Sequence, residues 1–286
     1  MKNNFVKKYA DLHIHSNYSD GTLSPSEIFL AAKRANIQCV SISDHDTLAA
    51  TDDAIASAKK YNIEFISGIE FSADWKIPIH ILGYYLDHKN EKLNAVLEQL
   101  KLARSERAKN IIAKLKSFGL AVDYDELLQM INIKTAGRPH IAQYLVQKKI
   151  VTNYDSAFQK YLTRGKPGYV SKEKIKLQMA VDLINDAGGV VVLAHPLALN
   201  NDAMVEELLR TGMFEGIEAF YSNHKPNDTA HYIKLAEKYK LFVTGGSDSH
   251  GAAKSEIYIG IVKLKYDYID GMKNYYSQKK KFKVAV

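Results

Sequence analysis

The segment Tyr9-Ala10-Asp11-Leu12-His13-Ile14-His15-Ser16 indicates both a strand and the chemistry that the strand carries. His13 and His15 flank Ile14 in this short strand candidate. Because side chains alternate between the two faces of a strand, both imidazoles should lie side by side on one face. Two neighbouring imidazoles suit a single metal ion. A lone His-x-His is a weak signal, since an incidental or structural pair looks the same.

The segments that follow alternate between strand-like and helix-like stretches. A helix should begin after Ser24, a candidate N-cap with Pro25 at the first helical position and Glu27 at the third. Repeated strand-then-helix units of this length are typical of a parallel sheet, and here they predict an α/β barrel. The other strand candidates are 38–43, 63–72, 77–86, 190–195, 216–221 and 241–245, and the helix candidates between them are 47–61, 202–211 and 228–239.

Residues 90 to about 185 interrupt this alternation, because they contain no convincing strand. Apolar residues at helical spacing predict a helix over 91–118 and further helices at 124–131, 139–149 and 154–162.

The same region carries the net charge of the chain. Residues 97–170 contain 13 Lys and Arg against 6 Asp and Glu, whereas the rest has 26 of each, so the whole net charge of +7 lies here. We therefore predict a barrel domain of residues 1–96 and 171–286, interrupted by a basic helical cap at 97–170. The charge is either a solvated helical face or an electrostatic funnel for an anionic substrate.

Nearly every strand candidate ends near a His, Asp or Glu. The carboxyl ends of parallel strands in an α/β barrel converge on one face, where active sites form. Independent structural roles for nine such residues would be an unusual coincidence. The candidate ligands are His13, His15, Asp20, His45, Glu70, His80, His195, Asp248 and His250.

The donor types narrow the choice of metal. Six imidazoles and three carboxylates without a thiolate favour Mn, Zn or Fe; Mg also stays open, and Mn²⁺ is our first choice. Nine ligands are too many for one ion, two ions about 3.5–4 Å apart fit them, and the surplus indicates a third. Glu70 is our choice for the bridge, with a water between two ions as the source of hydroxide. Asp11 or Asp44 is expected to hold the second ring nitrogen of a ligating His.

Together these motifs resemble the PHP (polymerase and histidinol phosphatase) superfamily of metal-dependent phosphoesterases. They occur in the expected order, at residues 11–16, 19–21, 42–46, 68–72, 195–196 and 248–250. The resemblance implies a distorted (β/α)7 barrel of the TIM type with a trinuclear site, and it implies all nine candidate residues as ligands. One branch of the superfamily has His at the position of Asp20, so the identity of the metal in the third site is left open.

Within the superfamily the chain most resembles the TrpH-like (RNase AM-like) branch. The resemblance includes Ala136-Gly137-Arg138-Pro139-His140 and Thr163-Arg164-Gly165-Lys166-Pro167-Gly168-Tyr169 in the insertion. It implies removal of the 3′-phosphate from nucleoside 3′,5′-bisphosphates, or 5′-to-3′ exonucleolytic cleavage of short 5′-phosphorylated RNA. It also implies Arg138 and His140 as phosphate binders, with Lys166 and Tyr169 as further substrate contacts.

The Gly-Arg-Pro-His turn is physically suited to a phosphate. It should open a helix, where backbone N–H groups favour an anion, and the Arg138 guanidinium can bind phosphate oxygens in a bidentate manner. The alternative is a surface Arg followed by a helix-capping His140. Asn223 and His224 follow the strand candidate at 216–221, so both are candidate substrate contacts, and His224 is also a candidate proton donor.

Three other functions fit parts of the sequence. A histidinol-phosphate phosphatase would have the same fold, although the basic insertion argues against so small an amino-alcohol substrate. A metal-dependent amidohydrolase barrel also opens with His-x-His, but such barrels often use a bridging Lys where this chain has Glu70. A nucleic-acid-binding module with a relic metal site would explain the basic segment through salt-dependent RNA binding, but the ligand set is intact.

Composition excludes other classes. A chain that is 46% hydrophobic and 25% charged can bury a core. Cys39 is the single cysteine, so neither a disulfide within the chain nor a thiolate metal site is possible. The N-terminal stretch has no apolar signal core, and no run reaches the length of a membrane span. We expect a cytoplasmic enzyme that acts on a small nucleotide or short RNA and has no obligate protein partner.

Overall fold

The computed structural model describes residues 8–131, 133, 135–254 and 256–284. These residues form two compact units. One comprises the described residues up to Asn94 and from Ile175 onward, and the other comprises Ala95–Lys174. The interpretation of the second unit as a substrate cap stays a prediction.

The strands of the first unit form two sheets. They are β1 (Tyr9–Ile14), β2 (Cys39–Ile42), β3 (Glu64–Phe65), β4 (Gly68–Asp74), β5 (Pro78–Tyr84), β6 (Ile175–Lys176), β7 (Val190–Leu193), β8 (Gly216–Tyr221), β9 (Phe242–Gly246) and β10 (Leu264–Lys265). The sheet orders are β10-β1-β2-β3 and β6-β4-β5-β7-β8-β9. Every residue of β7 is buried, as expected of a strand covered on both faces.

Two single bridges join these sheets into a ring. Ile14, at the end of β1, pairs with Ser249, which follows β9, and His45, which follows β2, pairs with Glu70 of β4. The ring therefore runs β1-β2-β4-β5-β7-β8-β9 and returns to β1. The predicted α/β fold is confirmed, and the ring contains the seven strands expected of the distorted barrel. Candidate ligands lie in or beside both bridges, so barrel closure and site assembly depend on the same residues.

The strand β5 differs from the predicted parallel arrangement. It is antiparallel to β4, with Ser72 opposite His80, and also to β7, with Ile81 opposite Leu193. Residues 75–77 join β4 to β5, which is too short for the crossover that a parallel pair needs. His80 therefore lies near the start of its strand, and this reversed direction brings it to the rim where β4 ends.

The predicted strand at 63–72 is also wrong in extent. The structure divides it into β3 and β4, which belong to different sheets. The residues between them are Ile66 and Ser67, so the chain changes partner strands over two residues.

Most helices lie where the sequence predicted them, but the helices at Leu177–Asp186 and Tyr266–Val284 were not predicted. They are α1 (Pro25–Arg34), α2 (Thr51–Tyr61), α3 (Glu91–Ser117), α4 (Tyr124–Ile131), α5 (Arg138–Gln147), α6 (Tyr154–Ala157), α7 (Leu177–Asp186), α8 (Asp202–Arg210), α9 (Pro226–Tyr239) and α10 (Tyr266–Val284). The predicted capping box is present: Glu27 N–H donates to Ser24 Oγ, and Ser24 N–H donates to Glu27 Oε2. The helix α2 begins at Thr51, four residues after the predicted start.

The second unit has a core of its own. Its buried side chains include Leu115, Leu127, Ile141, Leu145 and Leu162. The described part of Ala95–Lys174 contains helices and turns but no strand. The prediction of no strand over the whole of residues 90–185 is wrong at β6, a two-residue strand that pairs with β4. Among all described residues, none of the helices combines the length and apolar character that a bilayer crossing requires.

Candidate metal centre

Glu70, in β4, lies at the centre of the candidate site and is 1% exposed. Its Oε2 atom lies 3.4 Å from Nε2 of His13, 3.2 Å from Nε2 of His15 and 3.0 Å from Nδ1 of His45. The imidazoles of His13, in β1, and of His15, directly after β1, have their ring centroids 5.2 Å apart, as predicted.

The other oxygen of Glu70 faces two further imidazoles. Its Oε1 atom lies 2.8 Å from Nδ1 of His80 and 2.9 Å from Nε2 of His195. One carboxylate therefore contacts five imidazoles, which approach it from β1, from β5 and from the loops after β2 and β7. Because the antiparallel strand β5 starts at this rim, His80 reaches Glu70 from the opposite direction.

Asp248, in the loop after β9, adds a second carboxylate. Its Oδ1 atom lies 3.0 Å from Nε2 of His15 and 3.5 Å from Nε2 of His13. Its backbone has φ +56°, in the left-handed region, and its N–H donates to the carbonyl oxygen of His13 at 2.7 Å. Tyr221 Oη and Lys254 Nζ lie 2.9 and 3.1 Å from its Oδ2 atom, so both fix its orientation.

Asp20, in the loop after β1, lies beside three imidazoles. Its Oδ1 atom lies 3.5 Å from Nδ1 of His15 and 3.5 Å from Nε2 of His250, and its Oδ2 atom lies 3.8 Å from Nε2 of His45.

The donor atoms form three groups, and within each group they all lie within 4.8 Å of one another. Eight of the nine candidate ligands belong to these groups, and the ninth, His195, contacts Glu70. The groups are His15, Asp20, His45 and His250; His13, His15, Glu70 and Asp248; and His45, Glu70 and His80.

The donor set fits divalent cations. Nε2 of His13, both ring nitrogens of His15, and Oε2 of Glu70 are buried and have no hydrogen-bond partner of acceptable geometry. Buried polar atoms are nearly always satisfied, and leaving them unpaired is costly. A neutral imidazole offers a lone pair from one of its two ring nitrogens. Bound cations would satisfy the lone pairs of these side chains, which converge on common points.

Protonation in this cluster is strongly perturbed. Burial opposes the charge on Glu70, but the imidazoles of His45 and His80 hold the pKa of its carboxyl well below the usual range. Burial also opposes charge on His15, yet Asp248 and Glu70 raise the pKa of His15 to about 10. Burial lowers the pKa of His45 to about 4. A cation must therefore displace the proton of His15, so cation binding should weaken as pH falls.

The expectation that Asp11 or Asp44 holds an imidazole is wrong. Asp11 accepts hydrogen bonds from the backbone N–H groups of Ser247 at 2.8 Å and Gly260 at 3.0 Å. Asp44 accepts hydrogen bonds from the N–H of Ser16 at 2.7 Å and the hydroxyl of Ser19 at 2.5 Å. Both carboxylates hold loops in place, because their nearest donors are backbone and hydroxyl groups.

Sequence reasoning missed the carboxylate that does hold an imidazole. Glu218 lies in β8, is fully buried, and places Oε1 at 3.0 Å from Nδ1 of His13. An acidic residue within the otherwise apolar stretch Gly216–Tyr221 was a signal for it, since a fully buried carboxylate needs a partner. Tyr221 and Lys254, which contact Asp248, were missed as well.

His224 lies beside the cluster, but its geometry favours accepting a proton. Its Nδ1 atom lies 2.9 Å from the carbonyl oxygen of Ala219. Because a carbonyl can only accept, Nδ1 carries the hydrogen and Nε2 carries the lone pair. Burial lowers the pKa of His224, which favours this neutral form. Asn223 is exposed. Substrate contacts by Asn223 and His224, and a donor role for His224, stay predictions.

The second unit contains the predicted phosphate binders Arg138 and His140. Gly137 is the N-cap of α5, and its N–H donates to Nδ1 of the buried His140 at 3.0 Å, so this imidazole caps the helix. The Arg138 guanidinium lies 5.7 Å from the ring centroid of Phe158. Lys166 is exposed, and Tyr169 is half-buried. Phosphate binding by these four predicted residues stays a prediction.

A further arginine lies close to Arg138. Arg107 donates from Nε and Nη2 to the carbonyl oxygen of Val170 at 3.0 and 2.9 Å. Burial, together with the charges of Arg138 and Arg104, lowers the pKa of Arg107 to about 10. Guanidinium groups close enough to repel one another favour a bound anion.

A buried cluster of imidazoles and carboxylates at one end of a parallel-rich barrel defines a metal-dependent hydrolase. Comparisons with known proteins identify its family. The PHP domain matches residues 11–170. The chain is 35% identical to the 5′-3′ exoribonuclease of Haemophilus influenzae, over 86% of this chain and 90% of that protein. It is 34% identical to the 3′,5′-nucleoside bisphosphate phosphatase of Chromobacterium violaceum, over 84% and 86%.

A solved structure agrees with these relatives. A protein from Bifidobacterium adolescentis classed as a metal-dependent phosphoesterase superposes with a TM-score of 0.84 at 26% identity, covering 93% of this chain and 95% of that chain. The chain belongs to the PHP domain family. The predicted enzyme class, a metal-dependent hydrolase of phosphoric esters, is confirmed.

Proposed function

We propose that this enzyme hydrolyses phosphate esters of nucleotides, with nucleoside 3′,5′-bisphosphates and short 5′-phosphorylated RNA as its substrates. The observation that carries the proposal is the contact of one buried carboxylate, Glu70, with five imidazoles. Relatives with nucleotide and RNA substrates support the substrate class, and so does the basic second unit.

The three groups of donor atoms support three cation positions, with Mn²⁺ as our first choice of ion. Glu70, His15 and His45 each belong to two of the groups. Of these three, only Glu70 has two oxygens that carry lone pairs at the same time, which favours it as the bridge. We add His195 to the group that contains His80, because both imidazoles contact the same oxygen of Glu70.

Divalent ions bound there would activate water and neutralise the charge that develops on the phosphoryl oxygens. The residues of the chain prepare those positions. Asp248 is held by Tyr221 and Lys254, which fix where its free oxygen points. Neutral His224 can accept a proton at Nε2. Arg138 and His140 remain our candidates for binding substrate phosphate, because an arginine fork matches its oxygens.

The experiment is hydrolysis of adenosine 3′,5′-bisphosphate by Mn²⁺-loaded protein, with the products identified. Release of phosphate and adenosine 5′-monophosphate is expected, and short 5′-phosphorylated RNA is the next substrate. If an aryl phosphate is cleaved but the bisphosphate is not, the nucleotide proposal is wrong, and histidinol phosphate becomes the substrate to test. RNA binding without any turnover would favour the binding-module alternative.

A cytoplasmic location and the lack of an obligate protein partner remain predictions.

A further inference from the structure

Glu218 contacts two candidate ligands although it belongs to none of the three donor groups. Its oxygens lie 3.0 and 3.2 Å from Nδ1 of His13. Its Oε2 atom also accepts a hydrogen bond from the backbone N–H of His195 at 2.8 Å. A fully buried carboxylate in β8 thus joins a ligand of β1 to a ligand that follows β7.

The contact with His13 determines which ring nitrogen faces the cluster. With Nδ1–H donating to Glu218, the lone pair is on Nε2. That nitrogen lies 3.4 Å from Glu70 Oε2 and 3.5 Å from Asp248 Oδ1, and it has no hydrogen-bond partner. A carboxylate behind a ligating imidazole fixes both its tautomer and its ring orientation.

The contact with His195 holds an unusual backbone conformation. His195 has φ +26° and ψ +63°, in a region that residues other than glycine rarely adopt. Such a conformation persists only when surrounding contacts enforce it. The hydrogen bond from its N–H to Glu218 is such a contact, and the imidazole of His195 then reaches Glu70 at 2.9 Å.

We propose that Glu218 is a positioning residue that sets the tautomer of His13 and the backbone of His195, and so determines how tightly cations bind. This inference rests on the proposed metal site. A substitution to Gln keeps the shape of the side chain, but it removes the negative charge and leaves one accepting oxygen where the carboxylate has two. Its amide N–H₂ would face either the His13 ring N–H or the His195 N–H.

Glu215 offers a matched control in the same strand region. Its Oε2 atom accepts a hydrogen bond from the backbone N–H of Val191 at 2.8 Å, and its Oε1 atom lies 2.6 Å from Nζ of Lys279. It therefore also ties a backbone N–H of β7, but its described contacts include no candidate ligand. Glu215→Gln reports the cost of losing a carboxylate that only supports the fold.

The experiment is a Mn²⁺ titration of three full-length proteins, wild type, Glu218→Gln and Glu215→Gln, after a chelator has removed their metal ions. Unfolding is followed on the same samples. We expect Glu218→Gln to bind Mn²⁺ about 10- to 100-fold more weakly than wild type, and Glu215→Gln to bind it as wild type does. Wild-type Mn²⁺ affinity in a folded Glu218→Gln variant would overturn this inference but not the proposed function. A wild-type protein that binds no Mn²⁺ would overturn the proposed function and the inference with it.

A second measurement needs no variant. In ¹⁵N NMR spectra of the Zn²⁺-loaded wild-type protein, His13 should carry its hydrogen on Nδ1 and none on Nε2. A hydrogen on Nε2 of His13 would contradict the proposed role of Glu218, even if Glu218→Gln failed to fold.

Discussion

Gly246→Ala should damage the metal centre although Gly246 supplies none of its ligand atoms. Gly246 is the last residue of β9 and packs against β1. A Cβ atom built on it would lie 2.3 Å from the backbone nitrogen of His13 and 2.4 Å from its Cβ atom. Ordinary van der Waals contact begins at 3.4 Å, so β1 and β9 must separate locally by about 1 Å.

The size of the effect follows from this displacement. The three clashing atoms of His13 are its backbone nitrogen, its Cα and its Cβ, so no change of rotamer relieves the clash. We expect a loss of about 1–3 kcal/mol in the free energy of unfolding, as for an overpacked core. Because a ligand misplaced by about 1 Å can cost about 100-fold in rate, kcat/KM for an aryl phosphate should fall by roughly that factor.

The assay combines hydrolysis, bound Mn²⁺ and thermal unfolding on one preparation. The control is Gly271→Ala in α10, where an added Cβ meets no atom within 4 Å. That change should keep wild-type activity and should stabilise the helix by up to about 1 kcal/mol. Wild-type activity and metal content in Gly246→Ala would refute the claim that the spacing of β1 and β9 places His13.

Three further results are expected. Arg138→Ala should raise KM for adenosine 3′,5′-bisphosphate by about 10- to 100-fold, because it removes a hydrogen bond to a charged group. KM for an aryl phosphate, which has no second phosphate, should change little. Equal increases in the two KM values would exclude binding of a second phosphate by Arg138. A hydrogen bond from Lys238 lowers the pKa of Glu206 to about 2 from 4.5, so its carboxylate stabilises the fold above pH 4.5 and this stabilisation disappears toward pH 2. Glu206→Gln should therefore lower Tm at pH 7, with the gap to wild type closing on acidification; an equal Tm at pH 7 would contradict this. Asp44→Ala should loosen the loop that carries Asp20 and weaken Mn²⁺ binding at one class of site by about 10- to 100-fold. An unchanged Mn²⁺ titration would show that this loop keeps its conformation without Asp44.

The sequence was most informative where the signal is local. The alternation that begins in Tyr9–Ile14 and continues into His15 was enough to place His13 and His15 on one face, because side chains two residues apart in extended backbone point the same way. The capping box at Ser24 and the helical spacing in the insertion are also local, and both predictions hold.

The direction of β5 was beyond the pattern of its own residues. An apolar run reads the same for a parallel and an antiparallel strand, and the three-residue link at 75–77 was the only indication. His80 still lies in the cluster although the direction of its strand was predicted wrongly. An antiparallel strand places its first residues at the rim where the parallel strands place their last.

The supporting carboxylates depended on distant partners. Asp11 binds Ser247, which is 236 residues away, and Glu218 binds His13 across 205 residues. Sequence proximity favoured Asp11 and Asp44 as partners for the imidazoles, whereas barrel closure brought Glu218 to His13. Such pairings arise from the order of strands around the ring, which no single motif specifies.

The most direct measurement compares wild type, His15→Ala and His88→Ala after a chelator has removed their metal ions and Mn²⁺ has been added back. For each protein, the number of bound ions and the rate of adenosine 3′,5′-bisphosphate hydrolysis are measured. His88 is a matched control, since its ring lies 3.1 Å from Asp52 outside the cluster. We predict that wild type and His88→Ala bind Mn²⁺ and release phosphate, whereas His15→Ala binds fewer ions and is inactive. Full activity and unchanged ion content in His15→Ala would contradict the assignment of this cluster as the catalytic metal centre.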